Sequence, residues 1–135
     1  MAESNAILAY LAIDTKFLPD DRKKFGLIFH WMFFEQYSHE PFIATSRFWL
    51  QHKPNSPERT ALLASKREGG WAALKIMEDH LSKNDFFVVD YSIADIALFA
   101  YTHVAHEGGF SLDDLPKIRA WVERVKAQRG FVPML

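Results

Sequence analysis

Ser92-Ile93-Ala94-Asp95, running directly into Ile96-Ala97-Leu98-Phe99-Ala100-Tyr101, is the stretch that decides the fold. A hydroxyl residue three positions ahead of an acid, at the edge of an apolar run, is a helix-start signature. Ser92 can accept from the backbone N–H of Asp95, and the Asp95 carboxylate can reach back to the N–H of Ser92. The helix that follows is apolar nearly all round, and such a helix is buried rather than laid on a surface. It is expected over about residues 93–106, ended by Gly108-Gly109. Asp95 is read as structural, and its loss should cost on the order of 1 kcal/mol or more through the cap.

Working outward, helical periodicity recurs and strand alternation does not. Ser4 can cap a first helix through about Ile13, with Ile7, Leu8 and Leu11 on one face. Residues 14–19 read as a connector anchored by Phe17 and Leu18. Asp20 and Asp21 then place carboxylates at the positive end of a long helix reaching about His39. Pro41 should kink or break it, since proline lacks a donor and clashes with the preceding turn. A shorter helical piece spans about 43–50. Ser56 with Pro57 reads as an N-cap followed by a first-turn proline. The next helix runs to about Leu81, with Leu63, Gly70, Leu74, Met77 and Leu81 as its apolar stripe. Gly69-Gly70 in mid-helix is either a bend or a point of close approach. Phe86 to Val89 is a short extended segment, too isolated for a sheet. Pro116 starts a last helix after Asp113 and Asp114, with stripe Ile118, Trp121, Val122, Val125, and Gly130 suits the C′ position. The apolar tail from Phe131 to Leu135 is expected to pack. The fold class is therefore all-α: a bundle of about five to six helices around a buried central helix.

Composition narrows the function. At 135 residues the chain suits one domain with a core of its own. A net charge of −1 leaves no basic field for nucleic acid or anionic lipid, so neither is an expected partner. With no cysteine, disulfides, thiolate metal sites and Cys nucleophiles are excluded. There is no apolar h-region behind a charged start and no run of about 18 apolar residues. The expected location is cytoplasmic.

The segment His30-Trp31-Met32-Phe33-Phe34-Glu35-Gln36-Tyr37 carries two apolar stripes where one core needs one. Phe25, Phe29, Met32 and Phe33 form the first, and Leu27, Trp31 and Phe34 the second. The surplus stripe must meet another helix of the chain, a second subunit or a ligand. Histidines offer weaker patterns. His103 and His106 share a helix face beside Glu107, but no third ligand is placed, so no metal site is assigned. His39-Glu40 near Glu35 could bring carboxylates to an imidazole, or be a solvated helix end. No nucleophile motif or phosphate loop is present.

The capped apolar helix closely resembles the centre of the C-terminal helical domain of cytosolic glutathione transferases. Glu3-Ser4-Asn5-Ala6-Ile7-Leu8-Ala9-Tyr10-Leu11-Ala12 resembles the last helix of the thioredoxin-like domain that precedes it in that family. The resemblance implies a division into a remnant helix of that domain, residues 1–13, and a helical domain, residues 14–135. It implies that Glu3 and Ser4 contact the γ-glutamyl end of glutathione, which is a co-substrate rather than a bound cofactor. It implies that Trp31, Phe34, Tyr37 and His39 line the pocket for an apolar electrophile, and that the surplus stripe serves a homodimer. The family's thiolate-stabilising residue lies in segments that this chain lacks ahead of Glu3, so no catalytic residue is assigned. Tyr10 and Tyr37 are the imaginable substitutes, and nothing in the sequence supports them.

Two functions follow as expectations. In the first, the chain is the helical part of a glutathione transferase-like protein, inactive or weakly active alone, that orients the second substrate. In the second, it is a non-catalytic binding or interaction module that has kept the helical fold.

Overall fold

The helix start at Ser92 forms, and it does more than cap. In the computed structural model, which describes residues 1–133, a capping box joins Ser92 and Asp95. Asp95 accepts from the Ser92 N–H at 3.0 Å, and the Ser92 hydroxyl accepts from the N–H of Ala94 at 3.3 Å. The same carboxylate also accepts from the Ser92 hydroxyl at 3.3 Å, the Phe87 N–H at 3.1 Å and the Trp121 indole N–H at 2.9 Å. Asp95 is fully buried. A buried carboxylate is tolerated only when donors satisfy it. Here four donors from three separate segments do so.

Around this point stand, among the described residues, six α-helices: α1 (Ser4–Ala12), α2 (Arg22–Phe34), α3 (Glu40–His52), α4 (Pro57–Leu81), α5 (Ile93–Thr102) and α6 (Pro116–Lys126). No strand occurs among the described residues, and residues 86–89 are a bent segment rather than an extended one. Helix α5 is the centre, with α2, α3, α1 and α6 packed on it, and α4 running behind α3 and α6. An aromatic train seals the core. Phe87 lies 4.7 Å from Trp31 and 5.1 Å from Trp121, and Trp121 lies 6.2 Å from Phe99. Burying such a ring is worth roughly 1.5–3 kcal/mol, before any gain from the edge-on geometry. The connector 14–19 is anchored as expected: Leu18 is buried, and the Phe17 carbonyl accepts from the Ile93 N–H at 3.1 Å.

Several boundaries differ from the sequence reading, each for a physical reason. Ser4 is the first helical residue of α1 and not its cap; Glu3 holds that position without a side-chain capping bond. The long helix does not break at Pro41. Residues Glu35–His39 form a π-helical turn, in which the Glu40 N–H donates five residues back to the Glu35 carbonyl. That turn resets the register, so Pro41 falls in the first turn of α3, where a missing N–H costs nothing. Helix α5 stops at Thr102, short of His106, and the chain tightens into a 3₁₀ turn at Ala105–Gly108. Gly109, at φ +82°, closes that turn in the left-handed region. The first turn of α6 takes its cap from a distance. Glu78 of α4 accepts from the N–H groups of Lys117 and Ile118, at 2.9 Å each, while Asp113 pairs locally with Ser111. Helix α6 ends at Lys126, and Gly130 turns the chain three residues beyond its C-cap Ala127. Phe131 packs edge-on against Phe99 at 5.6 Å; Met134 and Leu135 of the expected apolar tail lie outside the described residues.

Ser56 caps α4 as read, accepting from the Arg59 N–H at 3.1 Å, with Pro57 next. The glycine pair in α4 marks close approach. A Cβ on Gly69 would stand inside the Phe42 ring and one on Gly70 inside the Phe110 ring. Gly26 in α2 has open space where a Cβ would go.

Three stability changes follow. Asp95→Ala strands two backbone donors and the Trp121 indole N–H in the interior. Urea unfolding should therefore show a loss of about 3 kcal/mol or more, beyond what a cap alone supplies. Gly70→Ala should lower stability by about 1–3 kcal/mol through overpacking, in spite of its better helix propensity. Gly26→Ala should raise it by about 1 kcal/mol. Equal melting shifts for the two glycine variants would contradict the packing described here.

Candidate functional site

Helix α1 touches the bundle along one side only, and between it, α5 and the segment after α6 lies a groove of about 810 Å³. That volume is in the range of small-molecule sites. Most of its wall is apolar, from Leu8, Ile96, Phe99, Ala100, Val104 and Phe131. One end is polar. Ser4 and Asn5 arrive there from the first turn of α1, and Glu35 from the π-helical turn. Farther along stand Arg47 and Glu107, which form an ion pair that Gln51 supports from 2.7 Å. Such a groove suits a molecule with a polar, hydrogen-bonding end and an apolar body.

The polar end is held by Asn5. Its side-chain amide donates to the Met32 carbonyl at 3.2 Å and to the Glu35 carboxylate at 3.0 Å. Glu35 is buried, and among the described residues no Lys or Arg pairs with it. Burial pushes its carboxyl above the usual range, the Asn5 amide draws it part of the way back, and the Glu40 charge adds to the rise. Glu3, next to Ser4, sits at φ 66°, ψ 114°, a conformation rare for a residue with a side chain. Its carboxylate is not spent on capping.

The sequence-chosen residues are distributed unevenly about this groove. Ser4 lines it, with Glu3 one residue away. Trp31, Phe34, Tyr37 and His39 do not share a cavity. Trp31 is 6% exposed and lies against His80 and Phe87 in the core. Phe34 is half-buried beside it, with ring centres 5.2 Å apart. Tyr37 is 80% exposed on the opposite side of the π-helical turn from His39. His39 is fully buried. The resemblance that grouped them carries no face information; Tyr37 and His39, two residues apart, fall on opposite sides of a helical rod. Asn5, Glu35, Arg47 and Glu107 also line the groove, and of these only Glu35, a lone acid inside an aromatic run, stands out in the sequence.

His39 forms no carboxylate pair. Its Nε2 meets the Thr102 hydroxyl at 2.9 Å. That hydroxyl gives its one proton to the Leu98 carbonyl at 2.6 Å. Nε2 must therefore be the donor, which leaves Nδ1 as an acceptor with no partner. Burial lowers the imidazole pKa to about 4. His103 lies flat on Phe99, with Nδ1 2.8 Å from the Phe99 carbonyl. No three His, Asp or Glu side chains among the described residues converge on one point.

The His39 geometry fixes a pH dependence. The folded value lies below the ordinary 6.5 of the unfolded chain. Between pH ~6.5 and pH ~4 the unfolded chain takes up a proton that the folded one refuses, so stability falls with falling pH. The loss levels off below pH ~4 at roughly 3 kcal/mol. A glutamine in place of His39 keeps a donor for Thr102 and does not titrate. The parent-minus-variant difference for His39→Gln, from urea unfolding, should shrink by that amount between pH 7 and pH 4. A pH-independent difference would contradict the assignment.

Comparison with known proteins gives this geometry a family. The profile of "Glutathione S-transferase, C-terminal domain" matches residues 30–129. The structure of a glutathione S-transferase from Pseudomonas fluorescens Pf-5 superposes with a TM-score of 0.96 at 47% identity, over 100% of this chain and 68% of that one. A possible glutathione S-transferase from Rhodopseudomonas palustris gives 0.93 at 45% identity, over 98% of this chain and 61% of that one. One from Xanthobacter autotrophicus Py2 gives 0.89 at 43%, over 98% and 65%. The chain thus spans about two-thirds of the length of these relatives. No curated protein sequence matches it. The chain belongs to the glutathione S-transferase family, through that family's C-terminal helical domain.

Proposed function

We propose that this chain is the helical portion of a glutathione-dependent transferase. In this reading it presents the second substrate to a thiol activated elsewhere and is inactive or weakly active alone. One observation carries the reading: Ser4, at the positive end of α1, opens onto the apolar groove in a chain 47% identical to a glutathione S-transferase over its whole length. A hydroxyl and exposed N–H groups at a helix start suit a carboxylate, and the uncommitted Glu3 carboxylate suits an ammonium. Together they match the two charges of a γ-glutamyl end. The groove wall supplies the apolar surface that an electrophile needs, in place of Trp31 and His39, which are core residues.

The domain division belongs to the same reading. Residues 1–13 go with a thioredoxin-like unit and residues 14–135 form the helical domain. The exposed side chains of Tyr10 and Leu11 on α1, and of Ile13 just after it, support this, since they are apolar surface that the rest of the bundle does not cover. A homodimer fits the exposed stripe on α2, where Phe25 is 46% and Phe33 62% exposed. We place the protein in the cytoplasm, acting on apolar electrophiles. The second reading, a binding module without catalysis, is favoured by Tyr10 and Tyr37. Both are exposed and neither lines the groove.

Isothermal titration of the 135-residue chain with glutathione separates the two readings. Saturable heat, weakened about tenfold by Ser4→Ala, is the expected result. Absence of glutathione heat from a folded chain, with apolar ligands still bound, would leave the module. In sedimentation, the parent should run as a dimer and Phe33→Glu as a monomer; a monomeric parent would remove the dimer.

A further inference from the structure

The polar end of the groove contains an interaction that the functional reading does not require. Helix α1 is nine residues long, too short to be stable alone. Its apolar hold lies toward its C-terminal end, where Ala12 is buried and Leu8 and Ala9 are partly buried, while Leu11 is exposed. What ties its first turn down is Asn5, bridging the last turn of α2 through the Met32 carbonyl and the π-helical turn through Glu35. Glu35 occupies a costly place, buried and without a cationic partner among the described residues. An acid there is retained at a cost unless its acceptor atom serves a purpose. The π-helical turn gives that purpose a geometry. Glu35 is its first residue, at the seam where α2 changes register, and its side chain comes out on the α1 side.

We infer that Asn5 and Glu35 form a clamp that sets the position and order of the first turn of α1, and so of the adjacent Ser4 hydroxyl. The pair acts as positioning residues for Ser4. The identity of the molecule that Ser4 meets rests on the proposed glutathione reading; the clamp itself does not. The requirement on residue 35 is an acceptor atom and not a charge. Asn5 Nδ2 donates, so a glutamine carbonyl in place of the Glu35 carboxylate can receive it, whereas an alanine cannot.

The test is a set of three variants of the full chain, Glu35→Ala, Glu35→Gln and Asn5→Ala, read in two ways. Hydrogen exchange of the amides in residues 4–12 reports the clamp. It should speed up about tenfold in Glu35→Ala and Asn5→Ala, the loss of one buried hydrogen bond, and return to within about twofold of the parent in Glu35→Gln. Exchange in α5 should not change, which separates release of α1 from general unfolding. Glutathione titration reports the consequence: affinity should drop about tenfold in the two alanine variants and recover in Glu35→Gln. Unchanged exchange of residues 4–12 in Glu35→Ala, or failure of Glu35→Gln to restore it, overturns the clamp. If the parent binds no glutathione, the functional reading fails while the exchange result still decides the clamp.

Discussion

The buried Asp95 carboxylate is the constraint on which the rest of this structure depends. It caps α5, fixes the bent segment through the Phe87 N–H and holds α6 through the Trp121 indole. Each bond alone is ordinary. Their convergence on one buried charge is not, because losing any donor leaves part of the desolvation cost uncovered. Burial raises the Asp95 carboxyl while the Trp121, Phe87 and Ser92 donors pull it down. Those donors are therefore a condition for keeping an ion in the core. Phe87 and Trp121 are also the rings that close the aromatic train, so the polar hub and the apolar packing fix the same side chains.

A second device serves the groove. The π-helical turn lets one continuous rod bury Ile28 and Met32 before the turn and Ile43 after it. It also delivers Glu35 to α1 and His39 to α5. Widened turns of this kind recur at functional sites because they re-aim side chains without breaking the helix. Glu35 and His39, both buried and facing different neighbours, are what this turn makes available.

The core was largely legible in the sequence and the groove was not. Ser92, Asp95 and the stripe Ile118, Trp121, Val122, Val125 could be read because local capping and 3.6-residue periodicity determine them. Ser56 with Pro57 was legible for the same reason. The end of α5, the Glu78 cap of α6 and the passage through Pro41 were not, since each depends on partners distant in sequence or on a change of helical register. The grouping of Trp31, Phe34, Tyr37 and His39 rests on the family resemblance and not on periodicity, and the structure buries Trp31 and His39 while leaving Tyr37 exposed. Ser4 was marked as a helix-start residue by its type, one position short of its place as the first helical residue, and Asn5 and Glu35 needed the structure to bring positions 5 and 35 together.

The most direct test of the central constraint is a double-mutant cycle in urea unfolding with Asp95→Asn and Trp121→Phe. If the hub binds these helices as one unit, the two changes are coupled. The pair should then lose about 1–3 kcal/mol less than the sum of the single losses. Additive losses, within about 0.5 kcal/mol, would show that the carboxylate and the indole act separately and would contradict the account.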